Sequence, residues 1–246
     1  MKSHNIISII IGILFLVLLQ FFSTPYPIFR FLVPAFLIYV IAVSLYNRWY
    51  LRQIQKYNFW VVLRPLLLLL AGFGLFLLIP SAGLRSLFLI ISVCLIFFVE
   101  FALGNFAENI LINETLIIAF GFFITLTALN QYFPSLSFIC LIGTFVLAAL
   151  LARSFYEFIP QTPKTKIVAS VVLGFFASQL FWALNFLPLH FSALAVILFN
   201  IYYFCLILNY YHFFQTLSLK KLQFHLALIL VCSGAVLVAT PWKILR

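Results

Sequence analysis

Apolar runs of about twenty residues, parted by short polar breaks, recur along the whole chain. Nine stand out: residues 5–23, 28–46, 59–79, 84–103, 115–131, 136–152, 167–187, 190–208 and 222–240. As a helix rising about 1.5 Å per residue, such a run crosses a hydrocarbon layer about 30 Å thick. The second run carries Arg30 and Pro34 inside it, and the fifth is short. The runs are unbroken rather than alternating, unlike the strands of a membrane barrel. An open sheet edge cannot rest in lipid at all. The pattern therefore predicts an all-α fold, a polytopic transmembrane helix bundle of about nine spans forming one domain over residues 1–246.

The polar breaks alternate in character. STPYP, IPSAG, NQYFPS and NFLPLH are short and proline-marked, whereas the breaks between them are longer and polar or charged. Pro27, Pro80, Pro134 and Pro188 are spaced by 53, 54 and 54 residues, and Pro241 follows after 53 more. Two of these turns share local sequence, ALNQYFPSLSF from Ala128 and ALNFLPLHFS from Ala183. This reads as a proline-turned helical hairpin repeated four times in one orientation, with a ninth helix opening a fifth unit. Two crossings of about 20 residues with their loops give nearly the same spacing without any duplication. Both explanations stay open.

Composition removes the soluble alternative. The chain has 246 residues, 66% of them hydrophobic and 7% charged. Soluble domains are roughly half apolar and about a quarter charged. The net charge of +10 fits topology better than nucleic acid, because no basic domain stands apart from the apolar runs. One side of the membrane would hold Lys2, Arg48, Arg52, Lys56, Arg64, Arg153, Lys164, Lys166, Lys220 and Lys221. The other would hold Arg30, Arg85, Lys243 and Arg246. Ten against four places the N-terminus in the cytoplasm, and nine spans then place the C-terminus outside. MKSHNIISIIIGILFLVLLQFF lacks a small-x-small cleavage site near FFSTPYP and is expected to stay as the first helix.

Acid is scarce and concentrated. The chain has no aspartate and four glutamates, three of them in FVEFALGNFAENILINET: Glu100, Glu108 and Glu114. The fourth is Glu157. If one helix ran from Glu100 through Glu114, the three carboxylates would share an arc of about 120°, with Asn105, Asn109 and Asn113 on the adjoining face. Glu100 lies inside an apolar run. An ionisable group there costs roughly 2.5–3.5 kcal/mol on insertion scales and usually faces the bundle with a partner. Arg64 and Arg153 are the candidate partners on that side. Glu100 is thus a candidate coupling or ion site, or a group that ties one helix to another. Glu108 and Glu114 are expected to face solvent.

Other polar groups are read more simply. Arg48, Arg52 and Lys56 form an i, i+4, i+8 row with Trp49, Tyr50 and Tyr57 nearby, suited to anionic lipid headgroups or to an ordinary positive-inside loop. Gln179, Asn185 and Asn200 are a candidate polar path, or hydrogen-bonded packing between helices. Cys94, Cys140, Cys205 and Cys232 stand alone, and His212 has no acid or cysteine beside it in sequence. No metal site and no cofactor is expected. HExxH, GxSxG and GxxxxGK[ST] are absent, and Asn113-Glu114-Thr115 falls on the cytoplasmic side, where its glycosylation pattern is not used.

QLFWALNFLPLHFSALAVILFNIYYF, from Gln179 to Phe204, and the ending ATPWKILR resemble a family of uncharacterised multi-pass membrane proteins of candidate-phylum bacteria. The resemblance covers about a third of the chain. It implies a bacterial inner-membrane setting and carries no site residues. The expected function is non-enzymatic: transport of a small molecule or lipid, or an accessory role in a membrane complex. The expected partners are membrane lipids and, in the accessory role, a membrane protein. An enzyme acting on a lipid-linked substrate, with Glu108 or Glu114 as base and Arg48, Arg52 and Lys56 on the headgroup, is the alternative. A purely structural subunit is a third.

Overall fold

The computed structural model describes residues 2–22, 29–53, 58–79, 81–105, 108–215 and 218–240; residues 2, 3, 5, 22, 29–31, 61, 82, 101–105, 108–112 and 158 are described by backbone alone. Each predicted run has its helix among the described residues: α1 (Lys2–Phe22), α2 (Phe29–Gln53), α3 (Phe59–Leu78), α4 (Ala82–Asn105), α5 (Glu108–Tyr132), α6 (Ser137–Phe155), α7 (Pro163–Leu184), α8 (Phe191–Phe213) and α9 (Leu219–Ala239). Single 3-10 turns, Pro134–Leu136 and Tyr156–Phe158, precede and follow α6.

Among the described residues, seven of these helices are long and apolar enough to cross a membrane, where about nine spans were expected. The other two, α1 and α3, offer shorter apolar windows, Ile6–Phe21 and Val62–Leu78. His4 of α1 and Arg64 of α3 are drawn into the protein interior. In the acid-rich stretch α4 is described to Asn105 and α5 from Glu108, and residues 106–107, through which a single helix from Glu100 to Glu114 would have to run, lie outside the described residues. Of the turn prolines, Pro134 and Pro188 lie in connections between helices, while Pro27, Pro80 and Pro241 lie outside the described residues.

Helix starts follow local chemistry. The Asn58 side chain accepts from the Trp60 amide at α3, Thr162 from Thr165 at α7 and Ser218 from Lys221 at α9. Each satisfies an amide that the first turn leaves without an intrahelical partner. Pro163 sits at the first position of α7, where a missing N–H costs nothing.

The chain divides into two compact units, Met1–Ile118 and Ala119–Arg246, and the division falls inside α5. In the first unit, α1 lies along α4, α2 pairs with α3, and α3 also packs on α4. Phe15 of α1 is fully buried against Phe36 and Tyr39 of α2, and the Tyr39 hydroxyl donates to the Ile11 carbonyl at 2.7 Å. In the second unit, α6 and α7 pack most closely, and α8 packs on both α7 and α9. Tyr202 of α8 donates to the Ala148 carbonyl of α6 at 2.8 Å. Thr127 of α5 reaches the Phe191 carbonyl at the start of α8 at 3.1 Å.

The surface is inverted relative to a soluble protein. Ile38, Ile90, Phe138, Val172, Val231 and Val238 are exposed, while His4, Asn47, Arg64, Glu100 and Glu114 are buried. Charged residues are almost never fully buried in water-soluble folds. In lipid the apolar side chains face the solvent, and ionisable groups turn inward. Together with the seven long apolar helices, this inversion makes the chain an integral, multi-pass, all-α membrane protein.

Candidate functional site

The buried polar groups of the first unit come from near helix ends. Glu100 stands five residues before the end of α4, and Asn47 six residues before the end of α2. Arg64 stands five residues into α3, Glu114 six residues into α5, and His4 in the first turn of α1. The hydrogen bonds show that these ends meet. Asn47 Nδ2 donates to Glu100 Oε1 at 2.9 Å. The Glu100 carbonyl, which can only accept, is 3.0 Å from His4 Nε2, so that nitrogen carries the proton. His4 Nδ1 is 3.0 Å from the Tyr46 hydroxyl, and in neutral His4 it accepts from Tyr46. The His4 ring also stacks on Tyr50, with centroids 3.8 Å apart and planes within 5°.

His4 precedes the apolar window of α1, Ile6–Phe21. Burial lowers its pKa below the usual 6.5, outweighing the hydrogen bond to Glu100 that favours the charged form. The folded state therefore binds this proton less readily than the unfolded chain. The stability it contributes is present above about 6.5 and is lost as pH falls toward the folded value. Thermal unfolding followed against pH is expected to show this decline below about 6.5, and His4→Gln is expected to flatten it. An unchanged profile in His4→Gln would assign the decline to other groups.

The carboxylates stand differently. Glu100 is 1% exposed and Glu114 is 2% exposed. Glu100 Oε2, both oxygens of Glu114 and Asn47 Oδ1 are buried without a hydrogen-bond donor among the described residues. The Glu114 carboxylate feels two charges: Arg64, which is fully buried and attracts it, and Glu100, which repels it. The cluster thus offers four acceptor atoms lacking donors, two carboxylates and one guanidinium. Buried acceptors without donors are costly, and two carboxylates that sense each other are hard to ionise together.

Other predicted residues are distributed as follows. Glu114, expected to face solvent, is buried, because α5 starts earlier than the apolar run and carries it inward. Arg64 acts on Glu114, whereas Arg153 pairs with Glu157 at 2.5 Å within the second unit. Arg48 and Arg52 are exposed on α2, Lys56 lies outside the described residues, and Glu108 is described by backbone alone. Gln179 is exposed on α7. Asn185 caps the same helix, donating to the Phe181 carbonyl at 2.7 Å. Asn200 donates to Ser233 Oγ of α9 at 3.0 Å. His4 and Asn47 were not singled out from the sequence. The available signal for Asn47 was the continuation of the α2 pattern past residue 46. No group of three or more His, Cys, Asp or Glu gathered to hold a metal ion occurs among the described residues.

No protein-family model, curated protein or solved structure matches the chain. Its class, an integral all-α membrane protein, rests on the fold and on the inverted burial described above.

Proposed function

We propose that this protein is a non-enzymatic membrane transporter and that Glu100 and Glu114 form its coupling site, which binds a proton or another monovalent cation. The observation that carries the reading is the set of four buried acceptors that have no donor among the described residues, gathered with two carboxylates and one arginine. Ionisable groups held at membrane depth and away from lipid are the usual apparatus of ion and proton pathways. Glu114 belongs to this site beside Glu100. The setting we propose is a bacterial inner membrane, with the N-terminus in the cytoplasm, the C-terminus outside and the site near the cytoplasmic ends of α2 and α4. The small-molecule or lipid cargo is carried elsewhere in the molecule.

An enzyme using Glu114 as base on a headgroup held by Arg48 and Arg52 has less support, since Glu114 is buried and both arginines are exposed. An accessory-subunit role draws support from α9, whose Leu219, Phe224, Leu230, Val231 and Val238 are all exposed.

The test is ligand-dependent stability in lipid nanodiscs. A ligand that binds only the folded state raises the unfolding temperature in a saturable way. Sodium, potassium and choline chloride would be compared from mildly acidic to mildly alkaline pH. We expect a saturable response to one small cation or to protons, lost in both Glu100→Gln and Glu114→Gln. Indifference to every ion and to pH, or a response unaltered in both variants, would overturn the reading.

A further inference from the structure

The shared motif Ala-Leu-Asn recurs at residues 128–130 and 183–185, just before two of the proline-marked turns. In the second unit these two copies converge. Asn130 ends the motif near the end of α5, and Asn185 caps α7. Both asparagines, with Ser137 at the start of α6, line two adjoining cavities of about 370 and about 250 Å³. The larger also has the rings of Phe181 and Trp182 in its wall, and the smaller adds Gln131. The helix ends concerned are opposite, along α6 and α7, to those that carry Arg153 and Lys166.

The polar atoms of this recess are mostly acceptors. Asn130 Oδ1 is buried without a donor among the described residues. Ser137 Oγ donates its proton to the Pro134 carbonyl at 2.6 Å, which leaves its lone pairs. Asn185 donates through Nδ2 to Phe181, which leaves its Oδ1. Gln131 has used Oε1 on the Phe191 amide at 2.8 Å, which leaves its NH₂ group as a donor. No charged residue is among the described residues of the lining. A cation would lose its water here without gaining a carboxylate, and an anion would meet acceptors without a Lys or Arg. A few convergent polar groups on an otherwise apolar and aromatic wall are the usual makeup of a small-molecule site. Hydroxyl groups supply a donor to Asn130 Oδ1, can donate to Ser137 Oγ and Asn185 Oδ1, and can accept from Gln131. The ring of Trp182 offers an apolar face to the carbon side of the same ligand.

We infer that the recess between the two Ala-Leu-Asn turns is a binding site for a neutral, polyhydroxylated group of the sugar class. That group is either a free sugar or the headgroup of a glycolipid. Asn130, Asn185 and Ser137 accept from its hydroxyls, and Gln131 donates to them. The site shares no residue with the Glu100–Glu114 cluster, so each stands or falls alone.

The full-length protein in phosphatidylcholine nanodiscs tests this by tryptophan fluorescence. One arm adds free glucose; the other builds glucosyl-diacylglycerol into the bilayer. We expect a saturable change in one arm, abolished in Trp182→Phe, which assigns the signal. Affinity is expected to fall about tenfold in Asn130→Leu and Asn185→Leu, since each loses one hydrogen bond to the ligand. Ser137→Ala, a change at an exposed position, gives a weaker loss with the fold kept. Glu100→Gln is expected to bind as wild type does. Response to glucose alone identifies a free sugar, and response to the glycolipid alone identifies a headgroup. No saturable change in either arm, or one undiminished by the Asn130, Asn185 and Ser137 variants, overturns the assignment.

Discussion

Arg64→Met is expected to destabilise the protein by about 3–5 kcal/mol, the range seen when one partner of a buried charge pair is removed. Arg64 is fully buried, and its guanidinium is the attractive charge acting on Glu114. Methionine preserves much of the volume, so the loss reads electrostatics rather than a cavity. Without the cation, Glu114 keeps its repulsion from Glu100, and neither of its oxygens has a donor among the described residues. The decisive comparison is the double variant. Glu114→Gln removes the charge that Arg64 compensates, so Arg64→Met with Glu114→Gln is expected to recover most of the lost stability. Unfolding in mixed micelles, run as a double-mutant cycle, measures this coupling. Strict additivity of the two changes would show that Arg64 and Glu114 do not act on each other, and the cluster would then lose its central pair.

Glu100 was legible because a carboxylate inside an apolar run has few alternatives in lipid. Its neighbours were not. His4, Asn47 and Glu114 lie near helix ends, where polar residues are ordinary and say nothing about burial. What buries His4 and Asn47 is the meeting of the start of α1 with the ends of α2 and α4, a fact of tertiary packing. Gln179 shows the converse. It lies inside an apolar run, yet the structure places it on the exposed face of α7. That helix is apolar on all sides, so its sequence carries no period from which to read an inner face. The helices themselves were legible because nine apolar runs are separated by breaks. Glu108 to Asn113 was read as a helical extension of the fourth run rather than as the start of α5, because it is too polar to count as span. The Ala-Leu-Asn turns were visible as a repeat, but their shared recess was not, since it needs the ends of α5 and α7 side by side.

The closest helix pairing gives the second large effect. Gly174 of α7 lies against α6 so tightly that a Cβ there would stand 2.7 Å from Ala149 Cβ, 2.7 Å from the Phe145 carbonyl oxygen and 3.1 Å from the Ala149 amide. Two of these three neighbours are backbone atoms, which no change of rotamer can move. Small residues at such a contact let backbones approach and gain dispersion energy, which drives helix association where lipid is as apolar as the side chains. Gly174→Ala must therefore push α6 and α7 apart along their length. Overpacking costs typically 1–3 kcal/mol, and the upper part of that range, about 2–3 kcal/mol, is expected here. Gly234 of α9 is the control, because a Cβ there meets nothing within 4 Å. Alanine improves helix propensity by up to about 1 kcal/mol, so Gly234→Ala is expected to be neutral or stabilising. The same chemical step thus destabilises at Gly174 and does not at Gly234. Equal effects in both would mean that the α6–α7 pairing opens without cost, and that close approach at Gly174 does not hold the second unit together.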